Sequence, residues 1–231
     1  MTSLYLASAF FLGIHLLIAG TRLRDAIVGK IGEQRYMLFF SFSSLAGLIW
    51  MSWSFTFAKN EDILWIAPTW LPHAGGLIIL IAFLFVVIGI MTPGPTSVGA
   101  GKMLKDEEAV TGISRITRHP FLWGTALWAA FHLTANGDLP STVFFGTFLV
   151  LALLGTMSID AKRKRNYGDD WAGFAAKTSN IPFGAILTGR NRLNLKEIGL
   201  VRAVAAVVLF GVVLYGHGWL FGVVPFMLPG S

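Results

Sequence analysis

The chemistry available to this chain rests mainly on five histidines, His15, His73, His119, His132 and His217. There is no cysteine, which excludes disulfides, thiolate nucleophiles, zinc–thiolate sites and covalently attached c-type haem. Redox chemistry therefore needs a bound cofactor. His15 and His132 each fall deep inside an apolar run. Ionisable groups at such depth usually face a bundle interior and mark function. The competing reading is a plain interhelical hydrogen bond. His73 and His217 fall near the ends of apolar runs and read as interfacial, structural residues. His119 sits in Arg118-His119-Pro120, and proline suits the first position of a helix. A free helix start with Arg118 and His119 beside it favours an anion; a helix cap with a snorkelling arginine explains the same triplet.

Helical geometry decides which histidines can cooperate. Thirteen residues separate His119 from His132, roughly 20 Å along a helix and about 140° around it, so the two cannot share one metal. His132 needs a partner from another helix, and His15 qualifies. Placed on antiparallel membrane helices, His15 falls about 6 Å to one side of the midplane and His132 about 6 Å to the other. Helical side chains lean toward their own N-terminus, so the two imidazoles converge. Ser8 and Ala19 flank His15, and Thr125, Ala129 and Asn136 flank His132. These side chains leave room for a flat ring or permit close packing. Two imidazoles without a thiol suggest haem b rather than zinc, since structural zinc takes four ligands. Arg22, Arg115 and Arg118 are the basic candidates for the propionates, Arg22 by lying on the His15 face.

The elements that must position these residues are membrane helices. Of 231 residues, 55% are hydrophobic and only 13% charged, about half the charge of a soluble domain, with a mean hydropathy of +0.67. Residues 3–20, 37–58, 77–101, 119–137, 141–159 and 203–231 contain no Lys, Arg, Asp or Glu. About 20 apolar residues cross a bilayer core as a helix. Six helices are predicted near 3–20, 37–57, 74–91, 119–136, 141–160 and 199–217: an all-α polytopic bundle, one domain over residues 1–231. The first run has its positive charge after it, at Arg22 and Arg24, so it reads as a retained helix and not a cleaved signal.

Seventeen of the eighteen Lys and Arg residues fall in segments 21–36, 92–118 and 161–202. Basic connections mark the cytoplasmic side, which puts the N-terminus outside. The net charge of +6 has this origin, and no nucleic-acid partner is called for. Tyr167, Trp171 and Phe174 recur at helical spacing beside basic residues. They read either as an amphipathic stretch on the leaflet or as a basic extension of the fifth helix.

Three blocks carry a family resemblance: the first helix with His15 and Arg22, RITRHPFLWGTALWAAFHLTANGD (115–138), and GDDWAGFAAKTSNIPFGAI (168–186). Together the chain resembles the NnrU family over nearly its whole length. The resemblance implies a multi-pass protein of the bacterial cytoplasmic (inner) membrane, linked to nitrite and nitric oxide metabolism in denitrification, with nitric oxide as a possible ligand. A plant branch of the family uses haem b to isomerise the double bond of a polyene, zeta-carotene. That branch implies His15 and His132 as axial ligands. Ala129 stands where the branch has a cysteine. A shorter resemblance runs through RHPFLWG (118–124) to membrane methyltransferases that use S-adenosylmethionine. It implies a second site at His119 and Asp160, with Asn136 as a further candidate. Leu122 replaces the tyrosine of that motif, and Asp160 alone stands for its pair of glutamates. The leading expectation is a haem b protein serving nitrite and nitric oxide metabolism. Polyene isomerisation and methyl transfer are the alternatives.

Overall fold

The computed structural model describes residues 1–59, 62–97, 99–105 and 109–225. Among the described residues nine α-helices follow one another: α1 (Thr2–Leu12), α2 (Arg22–Ile31), α3 (Glu33–Thr56), α4 (Leu71–Met91), α5 (Pro120–Ala135), α6 (Leu139–Lys177), α7 (Gly184–Leu187), α8 (Leu195–Ile198) and α9 (Leu200–Phe221). A π-helical turn, Gly13–Ala19, continues α1, and short 3-10 turns occupy Ala100–Lys105 and Gly112–Arg115. No strand occurs among the described residues; one isolated antiparallel bridge joins Ile63 and Asp138.

Among the described residues five helical stretches are long and apolar enough to cross a membrane: Thr2–Ala19, Glu33–Thr56, His73–Met91, Leu139–Lys177 and Leu200–Phe221. The predicted fourth span is a helix within a residue of its expected ends, but its 16 residues measure only about 24 Å, short of a 30 Å core. The fifth continues far past residue 160. It runs to Lys177 with a break at Gly168, whose φ of 48° is open to glycine but rare for other residues. The basic stretch is thus an extension of the helix as far as this break.

The chain forms two compact units: residues 1–68 with 132–162, and 69–131 with 163–231. In the first, α1 packs along α3 over a core of Leu4, Ala7, Phe11 and Met51, joined by Phe55, Phe144 and Phe148. Gly47 lets α3 approach α1: a Cβ there would meet the Phe10 ring at 3.0 Å. In the second, α4 packs along α9. A core of Phe85, Ile88, Ile113 and Ile116 is separate from one of Leu104, Trp171 and Phe174. A Cβ on Gly124 would come within 2.7 Å of the Ala82 carbonyl and 2.8 Å of the Val86 amide nitrogen, so α5 meets the backbone of α4 directly. Such small-residue contacts drive helix association where lipid removes the hydrophobic incentive.

Candidate functional site

His15 lies in the π-helical turn, where the wider register places its ring differently from an α-helix; such turns often occur at functional sites. Its Nδ1 is 2.7 Å from the Phe11 carbonyl oxygen. A carbonyl only accepts, so Nδ1 carries the proton and Nε2 keeps its lone pair. Ser44 Oγ of α3 lies 3.3 Å from Nε2 and donates to it. Fixing one ring nitrogen on a backbone carbonyl is how a ligating histidine is oriented and its tautomer chosen. Phe11 and Phe40 wall the imidazole at ring-centroid distances of 4.4 and 5.1 Å.

His132 lies in the last turn of α5 and stacks on Phe145 of α6 at 4.9 Å, with planes 25° apart. It belongs to the same unit as His15. A series of phenyl rings leads from one imidazole to the other. Phe11 meets Phe148 at 5.9 Å, Phe148 meets Phe144 at 5.2 Å, and Phe144 meets Phe145 at 5.2 Å.

The Asn136-Gly137-Asp138 turn holds His132 in place. Asn136 donates to the His132 carbonyl through its backbone amide (3.0 Å) and through Nδ2 (2.8 Å), closing the end of α5. Asp138 Oδ1 accepts the Ser141 amide at 2.8 Å and caps the start of α6. Between them, a Cβ on Gly137 would lie 1.7 Å from the Trp65 carbonyl oxygen. Leu64 N–H donates to the Gly137 carbonyl (2.7 Å), and Trp65 Nε1 to the Thr134 carbonyl (3.3 Å). The segment before α4 therefore clamps the turn that carries His132.

The expected basic partners fall differently. Arg22 does not continue the His15 face. The helix ends at Gly20–Thr21, Thr21 has an extended backbone and caps α2 by accepting the Leu23 amide, and Arg22 opens that new helix, exposed. Arg115 and Arg118 belong to the other unit. The Arg115 guanidinium grips Glu197 through Nε (2.6 Å) and Nη2 (2.9 Å), and Nη1 donates to Asn191. The Gly112 amide, Thr111 and Asn194 also donate to that carboxylate. These contacts hold Glu197 at a pKa of about 2, with the Arg115 bond the largest cause. Arg118 lies over the Trp171 ring at 5.4 Å.

The three candidates for a second site are divided between the two units. His119, nearly fully buried, belongs to the unit of α4 and α9; Asn136 and Asp160 belong to the other. The backbone of His119 leads into α5. Its carbonyl accepts the Trp123 amide at 3.0 Å, its own amide reaches Thr117 Oγ1 at 3.2 Å, and Pro120 opens α5.

Sequence reasoning passed over Ser44, although FFSFSSLAG (39–47) already shows hydroxyls crowded into an apolar helix. It also passed over Glu197, whose partner is 82 residues away.

The surroundings of the two histidines are those a planar apolar group would meet. Two imidazoles share one unit, one is pre-oriented by its backbone bond, and the surroundings are aromatic. The buried Ser8 Oγ, two turns before His15, has no hydrogen-bond partner. Among the described residues no three His, Asp or Glu side chains come together to hold a bare metal ion.

Two plant proteins resemble part of the chain. One is "15-cis-zeta-carotene isomerase, chloroplastic" of Arabidopsis thaliana, 35% identical over 83 residues; the other is the Zea mays protein of the same description, 32% identical over 83 residues. Each match covers 36% of this chain but 23% of the plant protein. No solved structure matches. The profile described as "NnrU protein" matches residues 3–225, nearly the whole chain, and the protein belongs to that family.

Proposed function

We propose that this protein is a haem b-binding membrane protein with His15 and His132 as axial ligands, and that it isomerises a double bond in a lipid-soluble polyene. The observation that carries the ligand assignment is the His15 tautomer: its Phe11 bond leaves Nε2 able to bind iron. His132, stacked on Phe145 and secured by Asn136, supplies the second nitrogen. The plant relatives favour a polyene substrate. When bound, haem b supplies an iron that changes oxidation state and can bind or polarise a π system. The chain's own residues hold the imidazoles, surround them with phenyl rings and keep water away.

The test is the visible spectrum of the purified protein and its pyridine haemochrome. A Soret band and sharp low-spin bands on reduction are expected, and both vanish in His15→Ala and His132→Ala. A colourless protein that binds S-adenosylmethionine would overturn the reading in favour of methyl transfer. A cis-polyene added to the reduced protein should yield the trans isomer. The nitrogen-oxide role implied by the family is the second arm: nitric oxide, not the polyene, would then alter the spectrum.

The proposal includes six spans in a single domain of the bacterial inner membrane, with the N-terminus outside. Parity of crossings supports the count. Arg115 bonds Glu197, and Thr117 bonds the Asn180 carbonyl, so both connections lie on one side. One crossing by α6 alone would separate them, which favours a crossing by α5 as well. Likewise Lys162 Nζ reaches the Ala19 carbonyl, and Ile63 pairs with Asp138; each pair is separated by an even number of spans. The shortness of α5 is met by thinning of the bilayer or by its flanking polar residues.

A further inference from the structure

Between the end of α6 and the start of α9, the chain exposes apolar side chains where a soluble loop would carry polar ones. Leu187 is 83% exposed, Leu195 68% and Ile181 66%. Phe183 sits beside them with a left-handed backbone (φ 64°), a conformation that costs a bulky residue energy and persists only where its surroundings enforce it. They do so here. Phe183 N–H donates to the Ile116 carbonyl (2.8 Å) and Arg118 N–H to the Ser179 carbonyl (3.0 Å). Arg190 Nη1 ties the carbonyls of Ala176 and Thr178, each at 3.0 Å. The apolar residues thus project from a fixed backbone.

The charge around them has one sign. Between residues 171 and 202 the cations are Lys177, Arg190, Arg192, Lys196 and Arg202, and the one acid is Glu197, which Arg115 neutralises. Among the described residues no acid pairs with Lys177, Arg192 or Lys196. The segment ends at Leu200, the first residue of a membrane-spanning helix, so it lies at the depth where a leaflet meets water. Exposed leucines interleaved with unpaired cations at that depth match the interfacial zone of an anionic leaflet.

We propose that residues 181–200 form a rigid membrane-surface foot. Ile181, Leu187 and Leu195 enter the acyl boundary, and Arg192, Lys196 and Lys177 hold the headgroups of anionic phospholipids. The absence of cysteine allows a direct test on the full chain. Leu187→Cys, and separately Leu195→Cys, would each carry one environment-sensitive fluorophore in nanodiscs of phosphatidylcholine with or without phosphatidylglycerol. With phosphatidylglycerol, lipids brominated near the headgroup should quench the label severalfold more than aqueous iodide does. Arg192→Gln together with Lys196→Gln should remove the difference between the two lipid mixtures. A label at both positions that iodide reaches freely in either lipid overturns the foot. Immersion that ignores phosphatidylglycerol overturns the headgroup assignment.

Discussion

Glu197 binds Arg115 through both carboxylate oxygens and is a quarter exposed. Its pKa lies at about 2 instead of the ordinary 4.5. A carboxyl depressed in the folded state stabilises fully above its unfolded pKa and loses that contribution as pH falls through its folded value. The melting temperature should therefore drop between pH 4.5 and about 2. Glu197→Gln should remove that component and cost about 2 kcal/mol at neutral pH, the worth of hydrogen bonds to a charged group. Thermal melts across that range check both. At this scale the histidines were legible because an ionisable residue in an apolar run is conspicuous. Ser44 was not, because a serine about three turns inside a helix looks like any tolerated hydroxyl. Arg22 leaves the His15 helix face for a backbone reason: extending an ideal helix past Ala19 ignores the extended Thr21 that turns the chain.

At the scale of elements, the turn after α5 decides where His132 stands. Trp65 leaves no room for a side chain at residue 137, so Gly137→Ala must push the turn away. The expected outcome is destabilisation of about 3 kcal/mol and a severalfold loss of haem in the purified protein, read by haemochrome assay. Gly29→Ala, where a Cβ meets nothing, should leave both unchanged. Helix positions were readable because uncharged runs and their charged borders coincide with hydrophobic thickness. The fourth helix was expected at 119–136 and occupies Pro120–Ala135. The π-helical turn was not readable. Gly13–Ala19 has the same apolar composition as an α-helix, and the altered register lies in which carbonyl each amide meets.

For the whole molecule, the distribution of Lys and Arg implies that segments 21–36, 92–118 and 161–202 share one side. Single cysteines at Gln34, Lys102 and Arg165, all exposed, should react with a membrane-impermeant maleimide from the cytoplasmic face of oriented vesicles. A cysteine at Lys59 should react from the other. A cysteine at Lys102 that labels opposite to one at Gln34 would remove the six-span arrangement. The division into two units was hard to read in the residue pattern, because two of its three boundaries, 131/132 and 162/163, fall inside the continuous helices α5 and α6. Membership of the family, by contrast, could be read from the RHP and NGD blocks, since those residues cap α5 and close the turn beside His132.

The Ser44 hydroxyl beside His15 bears on how such a protein is made. With Nδ1 bound to its own backbone and Nε2 to Ser44, the imidazole is satisfied as soon as the helices pair. The chain can be inserted and packed before any prosthetic group arrives. Under the proposed haem reading, loading would be an exchange at one nitrogen, in which a long, weak contact gives way to a stronger ligand. Biogenesis in the membrane and delivery of the group become separable steps, and a store of assembled, unloaded protein can wait on supply.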